Sequence, residues 1–218
     1  MSRKLPPSAS VAQTGSDRRM YAPAAARNAK PLTELLLAHG PTAGAALELA
    51  SGTGEHVVHF GTALPGLQWQ PSDIDPARRD SIDAHVAASG LTNILPALPL
   101  DAAQPGWSKD LEPQQLVLVV NLFHLLPMSD VRRIITETAR ALAPGGSLIV
   151  YGPFRRGGAL ISEGDRKFDA ELRTADPTSG YKDDLDIVRL LSDAALSPID
   201  RVDMPANNLA LIARNPPS

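Results

Sequence analysis

Ala45-Ala-Leu-Glu48-Leu-Ala50-Ser51-Gly52-Thr-Gly54 decides the fold. Ala45 to Ala50 is a short apolar run of the kind that forms a strand buried on both faces. The two glycines that follow give a tight turn, and Glu55 to Leu64 then reads as a helix. Strand, turn and helix in that order form the first unit of a parallel sheet covered by helices.

Outward from this unit the same alternation continues. Leu67 to Pro71 reads as a second strand and Pro76 to Ser89 as a helix opened by proline and closed at Gly90. Asn93 to Ala97 is a short third strand. Leu116 to Val120, five branched apolar residues in succession, is the clearest strand and belongs at the centre of the sheet. A helix capped by Ser129 carries Val131, Ile134, Ile135, Thr138 and Leu142 at helical spacing as far as Pro144-Gly145-Gly146. Ser147 to Tyr151 is a fifth strand. A charged insert, Arg155 to Asp183, precedes a helix from Asp184 to Ala195. The strands Ile199 to Asp203 and Asn208 to Ala213 lie too close in sequence for a parallel crossover, so they pair antiparallel. Upstream, Pro31 to His39 is a first helix with proline at its first position.

The 218 residues and 43% apolar composition suit a single domain at residues 17–218, with residues 1–16 a disordered tail rich in Pro, Ser and Ala. The 21 basic and 24 acidic residues leave a net charge of -3, which offers no general attraction to nucleic acid or to an anionic membrane. With no cysteine, disulfides, thiolate metal sites and cysteine nucleophiles are excluded. No apolar run reaches the ~20 residues that span a bilayer and no signal peptide opens the chain, so the expected location is cytoplasmic.

In an open parallel sheet, ligands bind beyond the carboxyl ends of the strands where strand order reverses. There, Gly52 and Gly54 allow close backbone approach and Glu48 can accept from an ammonium group. Position 57 is Val57 where a dinucleotide fingerprint wants a third glycine, which disfavours a nicotinamide-dependent oxidoreductase. Asp73, 21 residues beyond Gly52, can bind two ribose hydroxyls, while Asp75 suits a helix cap before Pro76. Asp101 is either an acceptor for an adenine amino group or a surface loop residue. Asn121 ends the strongest strand, and His124 after it is either a general base or a residue that orients substrate or caps the next helix. His56 and His59 lack a third ligand nearby and are read as helix residues, with no metal expected.

These loops resemble those of the class I S-adenosylmethionine-dependent methyltransferases. More closely, the chain resembles the methyltransferase-like protein 26 family through Ala22-Pro-Ala-Ala-Ala-Arg27-Asn28, Ala50 to His56, Trp69 to Asp73, Tyr151-Gly-Pro-Phe154 and Asp203 to Leu209. The resemblance implies a Rossmann-like, doubly wound α/β fold: a mostly parallel seven-stranded sheet with the last strand antiparallel. It also implies S-adenosylmethionine as cofactor and methyl transfer to an oxygen or nitrogen of a small molecule. Glu48, Ala50, Ser51, Gly52, Gly54, His56, Asp73, Ile74, Asp101 and Asn121 would form the cofactor site. Tyr21, Asn28, Tyr151, Arg155, Asn207 and Asn208 would enclose the acceptor, with His124 as the candidate base. A cofactor-binding regulatory or scaffold protein without catalysis is the competing reading from another class. Oligomeric state is not legible.

Overall fold

A computed structural model describes residue 6 and residues 11–217. Two short strands, β1 (Gln13–Thr14) and β2 (Met20–Tyr21), pair antiparallel and lead into helix α1 (Pro23–His39). The remaining elements are β3 (Gly44–Leu49), α2 (Glu55–Ala63), β4 (Leu67–Asp73), α3 (Pro76–Ser89), β5 (Leu98–Pro99), β6 (Gln114–Val120), α4 (Met128–Ala141), β7 (Leu142–Arg155), α5 (Glu163–Ala175), β8 (Lys182–Asp183), α6 (Asp184–Asp193), β9 (Ile199–Asp203) and β10 (Asn208–Arg214). The main sheet runs β5-β4-β3-β6-β7-β10-β9, and β8 pairs with the end of β7. Its strands are parallel except β10, which lies antiparallel between β7 and β9.

The expected α/β class and antiparallel last strand are therefore present, with β8 as a small addition. Successive strand residues face opposite layers, as the pleat requires. Leu47, Leu49, Val117, Val119, Leu148 and Val150 pack with Val131, Ile134, Ile187 and Leu191 of α4 and α6. Ala46, Leu116, Leu118, Ile149 and Tyr151 pack with Leu32, Leu36, Val57, Phe60 and Ile82 of α1, α2 and α3. Strand order reverses between β3 and β6, so the crevice beyond their carboxyl ends is where a doubly wound sheet takes its ligand. Among the described residues no helix is long and apolar enough to cross a membrane.

Several boundaries differ from the sequence expectation. Helix α1 begins at Pro23, so the proline at its first turn is Pro23, and Pro31 lies inside the helix. The helix cap before α4 is Pro127 in place of Ser129. Asn93 to Ala97 forms only an isolated bridge, Trp69 with Ile94, and the paired strand is Leu98–Pro99. β7 starts five residues early, at Leu142. The insert contains α5, capped reciprocally by Ser162 and Asp165. Residues 1–5 and 7–10 of the expected tail lie outside the described residues, whereas Gln13–Thr14 form β1.

Candidate functional site

The turn after β3 is shaped by backbone conformations that side chains rarely adopt: Ala50, Gly52 and Gly54 have φ of 54°, 62° and 89°. It is stitched to the end of β4. Ser51 N donates to Ser72 O at 2.7 Å, Ser72 N donates to Ser51 Oγ at 3.1 Å, and Ser72 Oγ donates to Glu48 O at 2.8 Å. Gly52 N donates to Asp73 Oδ2 at 3.0 Å, and Asp75 N donates to Oδ1 at 2.9 Å. The glycine turn and the Asp73 carboxylate are thus held side by side at one end of the sheet.

A cleft of about 990 Å³ opens there, at the upper end of the roughly 300–1,000 Å³ typical of small-molecule sites. Its lining includes Glu48, Ala50, Ser51, Gly52, His56, Asp73, Ile74, Asp101 and Asn121, nine of the residues expected from sequence. Gly54 is not among them. It begins α2, and a Cβ there would meet Ile82 Cα at 2.6 Å, so its smallness serves the approach of α2 to α3. Asp75 caps α3 by accepting from Ala77 N at 2.9 Å, which leaves Asp73 free of that duty.

The cleft contains a buried carboxyl with an unpartnered oxygen. Glu48 is 1% exposed and its Oε2 has no hydrogen-bond partner. Burial pushes its carboxyl up to about 8, with the neighbouring Asp73 adding to the rise against a hydrogen bond from Ser51. Burial also raises Asp73, opposed by the backbone N–H groups of Asp75 and Gly52 and by the charge of Arg78. A buried acceptor without a donor is costly, and an incoming ammonium group would supply the donor. His56 is held by Ala25 O at 3.0 Å, and burial pulls its imidazole down to about 4.

The expected acceptor residues do not gather at this cleft. Tyr21 sets its ring edge to face against His85, with ring centroids 5.2 Å apart. Neither Tyr21 nor Asn28 lines the cleft; the neighbours that do are Ala22 to Ala25 and Arg27. Tyr151 is 1% exposed inside the α1–α3 layer. Asn207 lies in the β9–β10 turn at φ 61°, with Asn208 opening β10 beside it. Their amides are engaged by Asp165 and by Pro205 O. Arg155 lines a different pocket.

His124 is also turned away. It is 5% exposed beside Phe168 and Tyr181, and burial first and the charge of Lys182 second pull its imidazole down to about 3. So placed, the ring does not line the cleft where it was expected to serve as a base.

Leu122, Leu125, Leu126 and Arg133 line the cleft without having been singled out from sequence. The apolar run around His124 is the only signal for the three leucines, and none marks Arg133.

Solved structures share this architecture. An O-methyltransferase family protein from Burkholderia thailandensis superposes with TM-score 0.76 at 17% identity, over 89% of this chain and 58% of that one. A putative O-methyltransferase from Nostoc punctiforme PCC 73102 gives 0.76 at 14% identity, over 87% and 56%. Human N-acetylserotonin methyltransferase in complex with S-adenosylmethionine gives 0.72 at 15%, over 88% and 53%. At such identities the likeness establishes the fold, and this chain spans little more than half the length of those proteins. Residues 19–215 match the family described as "Protein of unknown function (DUF938)", and the chain belongs to that family.

Proposed function

We propose that the chain binds S-adenosylmethionine in the cleft beyond β3 and β4 and transfers its methyl group to an oxygen or nitrogen of a small molecule. The observation that carries this reading is the buried, unpartnered Glu48 Oε2 beside the glycine turn, facing the same cleft as Asp73. Glu48 would hold the ammonium of the amino-acid end, Asp73 the ribose hydroxyls, and the exposed Ile74 with Asp101 the adenine. Several structural neighbours solved with S-adenosylmethionine or S-adenosylhomocysteine, human N-acetylserotonin methyltransferase among them, support the same cofactor.

The sulfonium would bring an already activated methyl carbon. What this chain adds is position and dryness. Leu122, Leu125 and Leu126 together with Ala22 to Ala25 supply apolar lining. His56 lines the cleft with its Nε2 engaged by Ala25 O, and His124 does not line it, so neither histidine is placed as a ready base for the acceptor. An acceptor that is nucleophilic as it arrives suits this lining, and the rate should then follow its own ionisation.

Isothermal titration of the full chain with S-adenosylhomocysteine and with NADH tests the assignment. Saturable binding of the first alone is expected, and binding of NADH alone would overturn it. Release of S-adenosylhomocysteine in the presence of candidate small acceptors separates an enzyme from a binding protein without turnover.

A further inference from the structure

The insert between β7 and α6 builds a second pocket, about 500 Å³, that shares no lining residue with the cleft. Four cationic side chains line it: Arg155 at the end of β7, Arg173 on α5, Lys182 on β8 and, largely exposed, Arg189 on α6. Lys182 is 6% exposed, and its Nζ donates to Gly180 O at 2.8 Å. Among the described residues no carboxylate forms an ion pair with it; Asp169 and Asp176 act on it only through space.

The nearby carboxylates are already committed. Asp169 accepts from Arg155 Nη2 at 3.3 Å, from Arg173 Nε at 2.9 Å and from Tyr181 N at 2.6 Å. Asp176 accepts from Thr178 N and Oγ1. Asp183 accepts from Gly158 N and caps α6, and Asp186 pairs with Arg189. Arg155 Nε is buried with no partner. A buried ammonium without an ion-pair partner, beside an unsatisfied guanidinium nitrogen, is an arrangement that an anion would complete.

We propose that this pocket binds the phosphate group of a small phosphate monoester, with Lys182, Arg155 and Arg173 as its donors and Arg189 adding positive charge at the exposed edge. Donors converging from a strand end, a helix and a second strand suit a tetrahedral oxyanion. A planar carboxylate is met by a single guanidinium fork. The volume exceeds that of the anion, and Met128, Tyr181 and Leu185 give its organic part apolar surface. The inference does not rest on methyl transfer.

The test is titration of the full chain with phenyl phosphate, inorganic phosphate and benzoate. Phenyl phosphate should bind saturably and most tightly. Lys182→Met should weaken it by about tenfold or more, and Arg189→Met at the pocket mouth by about threefold. S-adenosylhomocysteine titrations should be the same in all three proteins. Tighter binding of benzoate would make this a carboxylate site and overturn the proposal. Absence of saturable phenyl phosphate binding, or unchanged binding in Lys182→Met, would overturn it as well. Should Lys182→Met not fold, unchanged phenyl phosphate affinity in Arg189→Met, whose exposed side chain pairs only with Asp186 across one helical turn, would do the same.

Discussion

Glu48 keeps a proton in the folded chain that the unfolded chain releases near pH 4.5. Its contribution to stability is therefore fully present below that pH and is lost as pH rises through about 8. An ammonium ligand reverses the preference, because it favours the carboxylate. Binding of S-adenosylhomocysteine should release a proton and tighten as pH rises toward 8, and Glu48→Gln should flatten that dependence and weaken binding by about tenfold or more. Calorimetry in buffers of different ionisation enthalpy reads both effects. His124 behaves oppositely: its depressed value leaves stability intact above about 6.5 and removes it as pH falls toward 3. His124→Phe should lose less melting temperature between about pH 7 and pH 4 than the parent does, with turnover unchanged. A fall in turnover would restore the base role. The two residues also show what the sequence could convey about the site. Glu48 sits at a strand end, where direction and burial follow from the strand itself, so its place was legible. His124 lies in an irregular turn after β6, and its facing depends on α5, whose packing no local pattern announces.

At the scale of elements, the hairpin β1–β2 is tied to the nucleus of the site through Ser81 of α3. Ser81 Oγ donates to Thr53 O at 2.7 Å and accepts from Met20 N at 2.7 Å, joining the glycine turn, α3 and the strap before α1. His85 Nε2 lies 2.9 Å from Met20 O, and Ala22 N donates to Glu55 at 2.7 Å. Ser81→Ala would leave two backbone groups unsatisfied at a fully buried position, costing roughly 1–3 kcal/mol. Limited proteolysis should then cut ahead of α1 faster than in the parent; an unchanged pattern would mean the strap is held by other contacts. Gly54→Ala strains a left-handed position and drives a methyl group into Ile82, so a loss of about 2–4 kcal/mol is expected from urea denaturation. Elements with a strong period were readable: β3, β6, α3 and the β9–β10 pair fall within a residue or two of their expected limits. α5 was not, because its sequence is mostly charged and poor in apolar residues, with Leu172 its one fully buried apolar side chain and Asp169 bridging two arginines. The start of α1 was missed because two prolines compete for the first turn and only tertiary packing of Ala25 and Ala29 selects Pro23.

Over the whole molecule, β6 is the strand on which both layers depend. Leu116 and Leu118 face the α1–α3 layer while Val117 and Val119 face the α4–α6 layer, all fully buried. Removing one side of this strand should therefore weaken both layers together. The two tryptophans allow the point to be tested, since Trp69 belongs to the first layer and Trp107 to the second. In Trp107→Phe and Trp69→Phe backgrounds, the fluorescence of the remaining tryptophan reports one layer each. Leu118→Ala should cost about 3 kcal/mol and lower the urea midpoint equally for both reporters, because the cavity lies on one face but the strand is shared. A fall seen by Trp69 alone would mean that the layers unfold separately, and the cleft at the β3–β6 crossing would then be supported by only one of them.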